Sequence, residues 1–225
     1  MESGISEKRS MRGLFVTFEG IEGSGKSTLL YNVAASLKRT GLDPLLTREP
    51  GGTSLGVALR KVLLNPEMED INSVAELMLF AADRAQHVST VIKPALEEGQ
   101  IVLCDRFSDA TAAYQGYGRK IPLKVITAID HLATMGIRPD MTILLDLPVE
   151  AGLNRARTRN VESSDASETR IDEEEIVFHK RVRDGYLELL GNEPERFLLV
   201  DAMEKPEQLS ETVVNALRSR YPDVF

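Results

Sequence analysis

The stretch Leu14-Phe15-Val16-Thr17-Phe18-Glu19-Gly20-Ile21-Glu22-Gly23-Ser24-Gly25-Lys26-Ser27-Thr28 decides the fold. Leu14 to Phe18 read as a buried strand, and residues 26–40 read as a helix that stops at Gly41. Between them Gly20 to Ser27 fits G-x-x-x-x-G-K-[ST], standing after a strand and before a helix as the motif requires. Glycines let the backbone close around a phosphate, and the helix N-terminus turns its N–H groups towards the anion. The nucleotide-binding set is therefore Gly20, Ile21, Glu22, Gly23, Ser24, Gly25, Lys26, Ser27 and Thr28. Lys26 has the reach for the β- and γ-phosphates, and the Ser27 hydroxyl is a ligand for Mg²⁺.

Outward from that loop, short β-rich runs alternate with longer helical patterns. Strands are expected at residues 44–47, 101–105, 143–146 and 197–201, and helices at 53–64, 72–98, 122–135, 149–159, 172–190 and 206–219. The long pattern at 72–98 sets Val74, Leu77, Met78, Ala81, Ala85 and Val88 on one broad face, with Pro94 as a potential kink. Strands that are apolar throughout belong to a parallel sheet covered by helices on both faces. The expectation is a P-loop NTPase-type three-layer sandwich: a five-stranded, doubly wound α/β sheet that binds its ligands at the carboxyl ends of the strands. Residues 1–12 read as a frayed tail before one domain, 13–225. The Ser-rich interruption at 160–168 reads as a mobile loop rather than a linker.

Composition narrows the function. With 225 residues, 42% hydrophobic and 28% charged, the chain has ordinary globular balance, and no uncharged apolar run is long enough to span a membrane. The N-terminus lacks the apolar core of a secretory signal. A net charge of −8 argues against a duplex nucleic-acid partner. A lone cysteine, Cys104, forms no internal disulfide, so a reducing cytoplasm is the expected location, and the three histidines stand at no metal-ligand spacing.

A phosphate loop leaves kinase, GTPase and ATPase open, so the other strand ends matter. Three strands end in Asp, at Asp105, Asp146 and Asp201, but only Asp105 is followed by a base, Arg106, able to hold a second anion. No Asn-Lys-x-Asp guanine signature is present. Thr47-Arg48-Glu49-Pro50-Gly51-Gly52-Thr53 would set Arg48 and Glu49 at the carboxyl edge of the sheet. Phe80 and Arg84, four apart, share a helix face, and an aromatic plane beside a guanidinium suits a nucleobase; the plainer alternative is a core Phe with a surface Arg. Residues 114–119, YQGYGR, read as a loop able to close over a planar ligand. Arg155 and Arg159 fall on one helix face while Arg157 points away, and Arg170 follows; a solvated basic face or a phosphoryl-neutralising lid would account for them.

Taken in order, FEGIEGSGKST, TREPGGT, LMLFAADRAQH, VLCDRF, AYQGYGR and ILLDLPVEAGLNRARTR resemble the thymidylate kinase family over residues 14–201. The resemblance implies transfer of the γ-phosphoryl of ATP to dTMP, with Mg²⁺. It implies Phe80 stacking on thymine, Arg84 bonding the O4 edge, Arg106 holding the dTMP phosphate and Glu22 near the sugar 3′-OH. Thr111, Tyr114 and Gln115 would bound the base and deoxyribose, Pro50 would brace the nucleotide, and Ser27, Glu49 and Asp105 would form the Mg²⁺ and water shell. Lys26, Arg106 and the lid arginines Arg155, Arg157 and Arg159 (lid 155–171) would be the catalytic cations. Gly23 stands where one branch of the family has an arginine, so this chain resembles the branch that draws its catalytic arginines from the lid. A homodimer through the long helices is also implied.

Overall fold

The computed structural model describes residues 13–68, 70–163 and 169–225. The tail expected at 1–12 and residues 164–168 of the Ser-rich stretch lie outside them. Strand β1 (Phe15–Glu19) stands at the centre of the sheet, between β3 (Val102–Asp105) and β4 (Met141–Asp146). With β2 (Leu45–Arg48) and β5 (Phe197–Asp201) at the edges the order is β2-β3-β1-β4-β5, every pairing parallel. The five-stranded parallel sheet expected from the sequence is the one observed.

Side chains alternate across the sheet and both faces are covered. Val16, Phe18 and Leu103 enter the larger core, where Leu29 and Leu37 of α1 (Lys26–Lys38) meet Val213 and Leu217 of α9 (Pro206–Arg220). Phe15, Val102 and Cys104 enter the smaller core, with Phe107, and with Ile92 and Leu96 around α4 (Lys93–Glu97). Each such fully buried large side chain contributes about 1.5–3 kcal/mol, so the continuous apolar runs hold the sheet from two sides. Thr17 breaks the apolar run without cost to polar balance, because its hydroxyl lies 2.9 Å from that of Thr142. Glu19, the last residue of β1, is wholly buried. Its Oε1 accepts the Phe107 N–H (2.7 Å) and its Oε2 the Tyr186 hydroxyl (2.7 Å). Burial, aided by Asp109, pushes its carboxyl up to about 7.

Helix starts follow their caps. Thr53 Oγ1 accepts from Gly56 N (3.0 Å) to open α2 (Ser54–Leu63), and Asn72 Oδ1 accepts from Val74 N (2.9 Å) to open α3 (Ser73–His87). The helix expected over 72–98 runs unbroken from Ser73 to Glu97 but is not regular: α3 passes through a π-helical turn, Val88–Ile92, into α4 with Pro94 in its first turn. Proline lacks an N–H and crowds the carbonyl four residues back, and the widened turn accommodates both. The face drawn for that helix also divides, since Leu77 and Val88 are fully buried while Val74 and Met78 are half exposed. Residues 114–119, expected as a loop, are largely helical: α5 (Ser108–Thr111) continues as a π-helical stretch, Ala112–Gly118. Helix α6 (Leu123–Thr134) precedes β4, and α7 (Val149–Ser163) takes in residues 160–163 that had been read as loop. Helix α8 (Ile176–Asn192) then leads to β5.

Candidate active site

A cleft of about 600 Å³ opens at the carboxyl ends of β1, β2 and β3. The phosphate loop forms its floor. Helix α1 begins at Lys26 with no acidic residue in its first turn and no side-chain cap among the described residues, which leaves its first N–H groups available to an anion. Lys26, only 8% exposed, donates to the Ile21 carbonyl (2.8 Å) and to Ser24 Oγ (3.3 Å). Burial, reinforced by Arg106, pushes its ammonium down to about 8, although Asp105, Glu22 and Glu19 pull the other way. Gly20 and Ile21 serve through their carbonyls. Gly23 is at φ +70°, and a Cβ there would collide with the Gly152 carbonyl at the start of α7. That contact explains why a side chain as large as arginine has no place in this loop.

Of the three strand-end aspartates, only Asp105 reaches the cleft. Asp146 accepts a bidentate contact from Arg183 of α8 (2.7 Å each), and Asp201 accepts from Met203 N (2.8 Å). Asp105 Oδ2 accepts from the Ser27 hydroxyl, so two hard oxygen donors meet beside the phosphate loop, a fit for Mg²⁺, which keeps part of its shell as water and phosphate oxygen. Glu49, expected in the Mg²⁺ and water shell, lines the same cleft. Its Oε2 accepts from Arg84 Nε (2.9 Å) and its Oε1 lies 2.9 Å from His87 Nδ1, so each oxygen has a protein partner. His87 Nε2 in turn lies 2.6 Å from Thr47 Oγ1.

Arg106 does not pair with Asp105. Its backbone is at φ +69°, a region that costs a non-glycine residue about 1–3 kcal/mol, and this turns the side chain back over the loop. There it donates to Glu22 Oε1 (2.9 Å) and the Gly20 carbonyl (3.1 Å), with its guanidinium 4.8 Å from the Tyr114 ring centroid. Glu22 also accepts from the Tyr114 hydroxyl, and its Oε2 is 3.2 Å from Nδ1 of the buried His179. Burial alone would raise the Glu22 carboxyl, but His179, Arg106 and Lys26 hold it well below the usual carboxylate range.

Arg84 is no surface arginine, at 2% exposed. It donates through Nε to Glu49, through Nη1 to Thr111 Oγ1 (2.9 Å) and Asp130 Oδ1 (3.0 Å), and through Nη2 to the Phe107 carbonyl (3.0 Å). Four of its five N–H groups are thereby used, and the residue also lines the cleft. Phe80, Thr111, Tyr114, Gln115, Glu49 and Pro50 line the same cleft.

In α7, Arg155 and Arg159 line the cleft, whereas Arg157 is exposed and does not. Arg155 Nη1 donates to the Ala202 carbonyl (3.0 Å), joining α7 to the turn after β5, and Arg159 meets Asp172 at 3.2 Å. Arg170 does not line the cleft: it is buried, donating to the Leu63 carbonyl and to Glu76. Sequence reasoning missed Arg60, Ile171 and Asp172, which also line the cleft. No local pattern marks them. Arg60 becomes visible only when its donation to the Pro50 carbonyl (3.2 Å) places α2 beside the TREPGGT turn.

The family model described as thymidylate kinase matches residues 18–213. The chain belongs to the thymidylate kinase family. A thymidylate kinase of Trichlorobacter lovleyi is 53% identical over 207 residues, covering 92% of this chain and 98% of the relative. One from Desulfovibrio desulfuricans is 53% identical over 197 residues (87% and 91%), and one from Nitratidesulfovibrio vulgaris 50% over 207 residues (92% and 96%). Membership in the thymidylate kinase family agrees with the parallel sheet and with the phosphate loop and TREPGGT turn meeting in one cleft. Among the described residues no helix is long and apolar enough to cross a membrane.

Proposed function

We propose that this protein transfers the γ-phosphoryl group of ATP to dTMP, giving dTDP and ADP on the route to dTTP. The observation that carries the reading is family membership across residues 18–213, with Phe80 and Arg84 lining the same cleft as the phosphate loop. An oxygen of the dTMP phosphate forms the new bond to the γ-phosphorus while the bond to the β–γ bridging oxygen breaks. The attacking oxygen is already ionised near neutral pH, so no general base is needed. The chain's task is to bring two anions into line and to stabilise the charge on the group in flight. Lys26 and the α1 N-terminus take the ATP phosphates, Arg106 takes the acceptor phosphate, and Arg155 and Arg159 neutralise the transferred group. Ser27 and Asp105 would hold Mg²⁺, which supplies charge neutralisation between the phosphate oxygens when bound. Phe80 stacks on the thymine, and the remaining Arg84 N–H meets its O4. Val74 and Met78 on α3 supply an apolar face for a homodimer. The enzyme works in the cytoplasm.

A coupled ADP-release assay with Mg-ATP and each nucleoside monophosphate in turn tests the reading. The expected result is the highest kcat/KM with dTMP. A higher value for another monophosphate makes it a different nucleotide kinase, and acceptor-independent hydrolysis alone makes it an ATPase. Within the lid, Arg159→Ala is expected to lower kcat roughly tenfold or more with dTMP KM nearly unchanged, because neutralising the group in flight acts on the transition state. Arg157→Ala is expected to stay near the parent. Initial rates showing the reverse order would move the lid role to Arg157.

A further inference from the structure

Glu76 lies in the first turn of α3, fully buried and outside the cleft lining. Its carboxylate gathers donors from elements that build the cleft. Oε1 accepts from Gln115 Nε2 (2.8 Å) and Arg119 Nε (3.1 Å), while Oε2 accepts from Arg119 Nη2 (3.1 Å) and Arg170 Nη2 (2.7 Å). A carboxylate offers about four acceptor sites, and here all are taken. Burial alone would raise its pKa, but Arg119, Gln115 and Arg170 outweigh burial and hold it below the usual range.

The donors belong to different elements around the cleft. Gln115 lines the acceptor pocket. Arg170 is the far foot of the lid: its backbone N–H donates to the Leu64 carbonyl (3.2 Å), and the two residues after it, Ile171 and Asp172, line the cleft, where Asp172 receives Arg159. Arg119 reaches on to Glu174 (2.6 Å) and sits 4.6 Å from the ring centroid of Phe178 on α8. For stability alone a buried carboxylate is a poor choice, since an apolar side chain of similar volume often serves as well or better. What it does that an apolar group cannot is hold Gln115 and Arg170 in one fixed relation.

We propose that Glu76 is a positioning residue that ties the acceptor-side amide of Gln115 to the lid foot at Arg170, so that acceptor binding and lid placement share one buried anchor. This rests on the dTMP kinase reading. Glu76→Gln keeps the shape and removes the charge. The dTMP KM is expected to rise roughly tenfold, the scale of one charge-assisted hydrogen bond, with ATP KM nearly unchanged. Arg170→Gln, outside the cleft lining, is expected to raise dTMP KM in the same direction, and the double variant to be no worse than the worse single, since both cut one link.

Leu77→Val, at the adjacent buried position, controls for lost stability: it is expected to lower Tm without moving dTMP KM. The proposal is overturned if Glu76→Gln raises dTMP KM no more than Leu77→Val does, or if the two single effects multiply in the double variant. Should Glu76→Gln fail to fold, an unchanged dTMP KM in Arg170→Gln overturns it equally. A parent enzyme that turns over no dTMP overturns the functional reading and this proposal with it, whereas a normal parent with unmoved variants overturns this proposal alone.

Discussion

Lys26→Ala is expected to lower kcat by roughly a hundredfold to a thousandfold or more while leaving the fold intact, as for loss of one preorganised charge at a developing anion. Among the described residues Lys26 hydrogen-bonds to the Ile21 carbonyl and Ser24 of its own loop, and Glu22, which it helps to hold ionised, keeps Arg106 and Tyr114 as partners when it is removed. The same residue sets a pH dependence. A lysine is charged below its pKa, and burial pushes this one down to about 8, so the free enzyme loses the cation as pH rises through that value. The kcat/KM for ATP should therefore fall on the alkaline side in the parent, and that limb should vanish in Lys26→Ala. Steady-state rates across neutral and alkaline pH, with circular dichroism to verify folding, check both statements. A folded Lys26→Ala with near-parental kcat would take the phosphate loop out of the chemistry.

Arg84→Ala is expected to damage both stability and acceptor selection. Removing the guanidinium leaves Glu49 and Asp130 without their cation, and the Phe107 carbonyl and Thr111 hydroxyl without their donor. Breaking a buried pair in this way costs about 3–5 kcal/mol, a fall in Tm of roughly 10 °C or more for a chain of this size. At temperatures where the variant is still folded, kcat/KM for dTMP should fall by about tenfold to a hundredfold or more, since the thymine O4 acceptor is left unpaired. ATP KM should stay near the parent's. Arg84→Lys separates the two effects: it restores a charge between the carboxylates but not the fork that bonds several groups at once, so stability recovers further than dTMP turnover does. If calorimetry and kinetics show ATP and dTMP weakened alike by Arg84→Ala, the base-site assignment is lost.

Much of this molecule was legible before any coordinates. The phosphate loop carries its own context, because strand, glycine turn and helix lie within a few residues and each is a local preference of the chain. Continuous apolar strands announce a doubly covered parallel sheet for the same reason. The acceptor side was legible only as motifs, and their partners were not. For Glu49 a place in the Mg²⁺ shell came only as what the family resemblance implies. Arg170 looked like a lid cation because it follows a run of arginines. The partners of both were hidden for one physical reason: the charge that meets each of them comes from a distant element, Arg84 of α3 for Glu49 and Glu76 of α3 for Arg170.

The sequence by itself determined the sheet, its phosphate-binding loop and the family to which the chain belongs, since these rest on local pattern and on motif order. Only the tertiary structure decided which charges are used up and which remain for a ligand. It paired Asp146 with Arg183 away from the cleft, held Arg84 among four acceptors and Arg106 against Glu22 at its wall, and set Asp105, Lys26, Arg155 and Arg159 on the same lining. A side chain's charge is written in its residue type, but its availability depends on burial and on partners far away in the chain, and those exist only once the helices have packed against the sheet.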